Sequence, residues 1–128
     1  MTYYHHEITR IRHACYANQE QLNTVIRIRR YMDHHFEREL NLDLLSRVAF
    51  TSKFHLLRLF KKYYGLTPLQ YLTEKRLEKS RDCLKAGMLV SDACFSAGFT
   101  SPSSFSTLFK QKMGLSPAAF QKRAISAK

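Results

Sequence analysis

Residues 52–68 read S-K-F-H-L-L-R-L-F-K-K-Y-Y-G-L-T-P, and residues 101–117 read S-P-S-S-F-S-T-L-F-K-Q-K-M-G-L-S-P. At a fixed offset of 49, seven of the 17 positions are identical: Ser52/Ser101, Leu59/Leu108, Phe60/Phe109, Lys61/Lys110, Gly65/Gly114, Leu66/Leu115 and Pro68/Pro117. Self-similarity at a fixed period marks one supersecondary unit built twice. Two copies are too few for a solenoid, so a tandem pair of modules is expected.

Each copy carries the punctuation of a helix. Ser52 and Ser101 suit the N-cap, where a hydroxyl oxygen accepts from an orphan N–H of the first turn. Leu56, Leu59, Phe60 and Tyr63 fall at i, i+3, i+4 and i+7, one buried stripe. Phe105, Leu108 and Phe109 repeat it. Gly65 and Gly114 supply the left-handed stop that often ends a helix. Thr67-Pro68 and Ser116-Pro117 then open the next helix, with a hydroxyl cap and proline at the first helical position.

The opposite stripe of the first copy holds Phe54, Leu57, Arg58 and Lys61, with Lys53, His55 and Lys62 beside it. From Lys53 to Lys62 there are four Lys/Arg and no acid. A solvated face normally mixes signs and carries no Phe or Leu. Cations joined to exposed apolar groups suit duplex DNA. Lys and Arg neutralise phosphates, Arg forks onto guanine O6/N7, and apolar groups meet the thymine methyl. The competing reading is a basic surface helix with two unrelated apolar residues.

Upstream of each copy lies a shorter helix. Asn41 caps one over Leu42 to Ala49, with Leu42, Leu45 and Val48 facing in, and Phe50-Thr51 forms the turn. Val90, Ala93, Cys94 and Ala97 belong to its counterpart, with Gly98-Phe99-Thr100 as the turn. Short helix, tight turn and longer basic helix make a helix-turn-helix. Upstream of the turn the offset fits better as 48, which one extra residue in the second turn explains.

Asn23 or Thr24 is read as the cap of a helix over residues 25–37, buried through Val25, Ile28, Met32 and Phe36. The expected fold is all-α: two helix-turn-helix subdomains joined by a long connecting helix. The divisions are an N-terminal extension, partly ordered, at 1–22; a first lobe at 23–67; the connecting helix at 68–87; and a second lobe at 88–128. Residues 68–86 span roughly 28 Å as a helix. Adjacent major-groove faces on one side of B-DNA lie about 34 Å apart. A spacer of that length can hold two reading helices in successive grooves, or it merely joins two lobes.

The net charge of +11 over 128 residues favours a polyanionic partner, nucleic acid first and an anionic membrane second. No run of about 18 apolar residues exists, so no membrane span is expected. The polar N-terminus lacks the apolar core of a signal peptide. Cys15, Cys83 and Cys94 form neither a zinc spacing nor an evident disulfide frame, which fits a reducing, cytoplasmic setting. His34 and His35 are adjacent and diverge on a helix, so they do not chelate together.

Taken in order, these motifs make residues 23–123 resemble the DNA-binding domain of the AraC/XylS family of bacterial transcription regulators. The carriers are S-x-x-x-L-x-R-L-F-K-K (Ser52 to Lys62), G-L-T-P-x-x-Y-L (Gly65 to Leu72), Arg76-Leu77 with Leu84, A-G-F (Ala97 to Phe99), S-x-F-x-x-x-F-K (Ser103 to Lys110) and G-L-S-P-x-x-F (Gly114 to Phe120). The resemblance implies promoter DNA as partner and, usually, activation through contact with RNA polymerase. It assigns base reading to Phe54, Leu57 and Arg58, with Lys53 and His55 at the edge, and in the second motif to Pro102, Ser103, Ser104, Ser106 and Thr107. Lys61, Lys62 and Lys110 complete the expected DNA-binding set.

Many members carry a basic residue at the position of Thr107 and a larger polar one at Pro102. The second face here is small and rich in hydroxyls, which discriminate weakly between bases. The first motif is therefore expected to fix sequence, and the second mainly to hold phosphate. Binding as a monomer is expected.

About 22 residues precede the matched region, too few for the sensor domain many members carry. The chain is thus either a stand-alone regulator or the output piece of a longer ligand-sensing one. No phosphate-cradling glycine loop, nucleophile elbow or H-E-x-x-H occurs, so no catalytic residue, metal or cofactor is expected. A basic module that binds an acidic protein is the remaining alternative, and single-strand RNA binding lacks its aromatic platform.

Overall fold

A computed structural model describes residues 3–127, with side chains from His5 onward. Every regular element among them is an α-helix: α1 (Tyr3–His35), α2 (Leu42–Ala49), α3 (Lys53–Tyr64), α4 (Pro68–Lys85), α5 (Val90–Ser96), α6 (Pro102–Met113) and α7 (Pro117–Ser126). The all-α expectation holds. Two compact units form, one from Met1–Met32 and Asn41–Pro68, the other from Asp33–Leu40 and Leu69–Lys128.

In the first unit α2 packs on α3. Val25, Ile28 and Met32 of α1, Leu45 and Ala49 of α2, and Leu56, Leu59 and Phe60 of α3 are buried. The two ends of α3 form as the sequence implies. The Ser52 hydroxyl accepts from His55 N–H at 3.1 Å. At the other end Gly65, at φ 78°, donates its N–H to Lys61 O. Asn41 caps α2 by accepting from Leu44 N–H at 2.8 Å.

In the second unit α6 packs on α5 and α7. Leu77, Cys83, Leu84, Ala93, Cys94, Phe105 and Phe109 make one buried cluster, flanked by Met88, Val90, Phe99, Leu108, Met113 and Phe120. Phe109 meets Phe105 and Phe120 edge-on, with centroids 5.7 and 5.3 Å apart. That is the arrangement aromatic quadrupoles prefer. Burial pushes the Cys94 thiol up, so it stays a neutral core group. Ser80, fully buried, donates its hydroxyl to Leu77 O at 2.7 Å, so its burial leaves no orphan.

Arg76 serves the same unit from α4. Its Nε donates to Phe36 O at 2.7 Å and its Nη2 to Arg38 O at 2.8 Å, tying down the chain just after α1. Gly98 lies against this fork: a Cβ there would stand 2.7 Å from Phe36 O and 2.9 Å from Arg76 Nε. Desolvation lowers the Arg76 pKa, but arginine starts high enough to remain charged.

The start of the first long helix differs from expectation. Asn23 and Thr24 cap nothing; α1 runs unbroken from Tyr3 to His35. Thr24 Oγ1 donates back to Glu20 O at 3.0 Å, and Asn23 Oδ1 accepts from Gln19 Nε2 at 3.1 Å. Both side chains thus find partners inside a continuing helix, which is the alternative open to short polar residues. Phe36 falls outside the helix, one residue past its end.

Candidate nucleic-acid interface

The two turns share a backbone pattern. Phe50, at φ 55° and ψ 41°, donates its N–H to Arg47 O, and Thr51 N–H reaches Ser46 O. Gly98, at φ 99°, donates to Phe95 O, and Phe99 N–H reaches Cys94 O. The left-handed residues are 48 apart, whereas the caps Ser52 and Ser101 are 49 apart. The second turn therefore holds one residue more, as the change in offset implied.

Past each turn the helix presents four outer positions at i, i+3, i+4 and i+7. On α3 they are Phe54, Leu57, Arg58 and Lys61. Phe54 is 75% exposed, Arg58 and Lys61 are exposed, and Leu57 is half-buried. On α6 the matching positions are Ser103, Ser106, Thr107 and Lys110, exposed except for half-buried Ser106. Pro102 and Ser104 lie exposed in the first turn of α6. The first face is thus aromatic and cationic, the second hydroxylic with one cation.

Three expected contacts sit off the face on α3. Lys53 Nζ lies 2.9 Å from Asp43 Oδ1 of α2, so an acid distant in sequence offsets this cation. The Lys53 ammonium, through hydrogen bonding and then charge, holds the Asp43 carboxyl below its ordinary value, with Arg47 adding to the effect. Lys62 leans toward α1: its Nζ is 3.5 Å from Gln21 Oε1 and 5.2 Å from the Tyr63 ring centroid. His55 lines a cavity of about 420 Å³ with Gln21 and Thr24 of α1 and with Phe50.

On α6 the hydroxyls are partly committed. Ser101 Oγ caps the helix by accepting from Ser104 N–H and stands 3.1 Å from Ser103 Oγ. Thr107 Oγ1 donates to Ser103 O at 3.0 Å, so toward a ligand it offers only lone pairs. Gln111, one turn beyond Thr107, lines an open groove of about 430 Å³ with Ser103, Ser104 and Thr107. The sequence reading omitted it; its spacing of four from Thr107 was the available signal. Phe50 was also passed over as a turn residue, yet it is 88% exposed.

Among the described residues no three of His, Cys, Asp and Glu gather as a metal site, and no helix is long and apolar enough to cross a membrane.

A family model described as a helix-turn-helix domain matches residues 45–123, more than half of the chain. The chain belongs to the AraC-type helix-turn-helix family. As an AraC-type chain it is a double-stranded-DNA-binding domain of the transcription-regulator class. Its match to the probable transcriptional regulator LumQ of Photobacterium leiognathi is 36% identical over 106 residues, 80% of this chain and 41% of that protein. The bifunctional transcriptional activator/DNA repair enzyme AdaA of Bacillus subtilis is 32% identical over 95 residues, 73% of this chain and 45% of that one. The chain spans less than half the length of these curated relatives.

Among solved structures, the C-terminal domain of the response regulator AraT from Geobacillus stearothermophilus has a TM-score of 0.75 and 28% identity. The match covers 78% of this chain and 84% of that one. The DNA-binding domain of AdpA, solved with a target DNA, has a TM-score of 0.78 at 23% identity, covering 81% and 95%, and at that identity shows the fold alone.

Proposed function

We propose that this AraC-type domain activates transcription by reading a two-part promoter site, one part with α3 and the other with α6. The lobes 23–67 and 88–128 each contribute one reading helix, and residues 68–87 space them for successive major grooves. On α3, Arg58 forks onto a guanine, Phe54 and Leu57 meet thymine methyls, and Lys61 neutralises a phosphate. On α6, Ser103, Ser104, Ser106 and Lys110 bind mainly backbone, while Thr107 accepts from an exocyclic amine.

The observation that carries this reading is the i, i+3, i+4, i+7 set on α3, an exposed aromatic beside two exposed cations. Lys53, Lys62 and His55, set off that face, contact backbone phosphates at its edges. One chain brings both reading helices, so one copy serves one two-part site. The regulator acts in the cytoplasm on the bacterial chromosome, through contact with RNA polymerase.

Selection of bound sites from random duplexes tests the proposal. The expected outcome is a two-part consensus preferred over random duplex by more than about 10³-fold, with mismatches costing more in the half read by α3. Equal penalties in both halves would contradict the division of labour. Salt-dependent binding with no sequence preference would leave only a basic interaction module.

A further inference from the structure

The cavity of about 420 Å³ beside the first turn lies wholly within the first unit, and the four outer positions of α3 line no part of it. Its size is that of a small-ligand site. The floor is apolar, from buried Ala49 and Leu59. One wall is α1, where Glu20, Thr24 and Arg27 fall at i, i+4 and i+7 on a single face. Phe50 stands opposite. Its backbone is left-handed at φ 55° and its ring is 88% exposed, so packing within the chain does not offset that strain.

Opposite charges mark the two ends of the α1 wall. Glu20 and Arg27 are exposed, and among the described residues the side chain of neither has an ion-pair or hydrogen-bond partner. Seven residues of helix set them about 10.5 Å apart along the axis. An anion alone would meet Arg27 and leave Glu20 repelling it; a cation alone would do the reverse. The occupant that matches both carries an ammonium at one end and a carboxylate at the other. An extended chain of three residues spans about 10 Å. The neutral groups on the same wall favour amides between those ends. Thr24 Oγ1 gives its proton to Glu20 O at 3.0 Å and so offers lone pairs. Gln21 Oε1 is 3.5 Å from Lys62 Nζ, which leaves its Nε2 to donate. One acceptor and one donor side by side suit the N–H and C=O of a peptide.

We propose that this cavity binds a short unblocked peptide of about three residues. The ammonium sits on Glu20, the carboxylate on Arg27, and an apolar middle side chain lies between Phe50 and the floor of Ala49 and Leu59. The peptide thereby covers the exposed ring. Because the site needs no DNA, it stands or falls apart from the reading of α3 and α6.

The test is calorimetric titration of the whole chain, without DNA, with the tripeptide glycyl-phenylalanyl-glycine. Salt at about 0.15 M screens non-specific attraction to the basic chain. Saturable one-to-one binding with a dissociation constant of about 0.1 mM is expected. Acetylating the peptide's amine and amidating its carboxylate should each weaken binding at least about tenfold. The penalty for acetylation should vanish in Glu20→Gln, and the penalty for amidation in Arg27→Gln, since each variant has already lost that partner. Both residues are exposed, so both variants should keep the helical circular dichroism. A straight-chain ω-amino acid of the same span, with no amide, should bind at least about fivefold more weakly. No saturation by about 10 mM, blocked peptides that bind as tightly, blocking penalties that persist in the matching variants, or an ω-amino acid that binds equally well each overturns the proposal.

Discussion

Phe50 and Gly98 hold the same left-handed position in the two turns, one with a bulky aromatic side chain and one with none. Glycine takes that conformation without steric cost, whereas a residue bearing Cβ pays about 1–2 kcal/mol. The Phe50 ring, 88% exposed, recovers little by packing.

Phe50→Gly should therefore stabilise the chain. Relief of the left-handed strain exceeds the added chain entropy of glycine, leaving a gain of about 0.5–1 kcal/mol. Urea denaturation of both proteins measures it. A loss of stability would show that the ring is held by α1 more firmly than its exposure indicates.

Gly98→Ala should do the opposite, and by more than backbone strain explains. The new methyl meets Phe36 O at 2.7 Å, Arg76 Nε at 2.9 Å and Glu37 Cα at 2.9 Å. It forces apart the hydrogen bond from Arg76 to Phe36 O. A loss of about 2–4 kcal/mol is expected. Gly87 provides the control: at φ 92° it shares the strain but has open space, so Gly87→Ala should cost only about 1 kcal/mol. Equal losses in the two variants would mean that the chain near Phe36 yields easily.

Asp43 should titrate below its ordinary value, and Lys53→Met should return it most of the way. A carboxyl whose pKa is depressed on folding contributes stability above its unfolded pKa. That contribution is lost as pH falls through the folded value. Nuclear magnetic resonance titration of the Asp43 side chain reads this directly. In the same pair, Asp43→Asn frees the Lys53 ammonium. Non-specific duplex affinity should rise, with the slope of log K against log salt steeper by up to about one unit.

Arg58→Ala should cost about 1–3 kcal/mol of specific DNA affinity and relax preference at one base pair. Lys61→Ala should weaken all duplexes about equally and flatten the salt slope by about one unit. Thr107→Ala should change preference less than Arg58→Ala, since its hydroxyl proton is already given to Ser103 O. Competition binding against a panel of single-base variants measures all three.

Much of this architecture was legible because its signals are local. The serine caps, the glycine stops and the apolar spacing of Leu56, Leu59 and Phe60 each act within a turn or two, and all formed. The start of α1 was not legible, because Asn23 and Thr24 are as able to bond within a helix as to begin one. Nothing local marks Phe50 as left-handed; the turn imposes that on it. The pairing of Lys53 with Asp43 was hidden because the acid belongs to α2, outside the acid-free run from Lys53 to Lys62. Lys62 and His55 shared the basic stretch with Arg58, but α1 packs beside them and draws them aside.

The repeat keeps its identities unevenly. Leu56 and Phe105, and Phe60 and Phe109, are apolar and hidden in both copies, while Phe54, Leu57 and Arg58 stand where the second copy has Ser103, Ser106 and Thr107. What anchors each rod and what it shows to the outside are thus separate sets of side chains. Grafting the outer residues of one rod onto the other rewrites its vocabulary without touching its foundations. A module of this kind can acquire new targets by a few surface exchanges, long before its interior has to change.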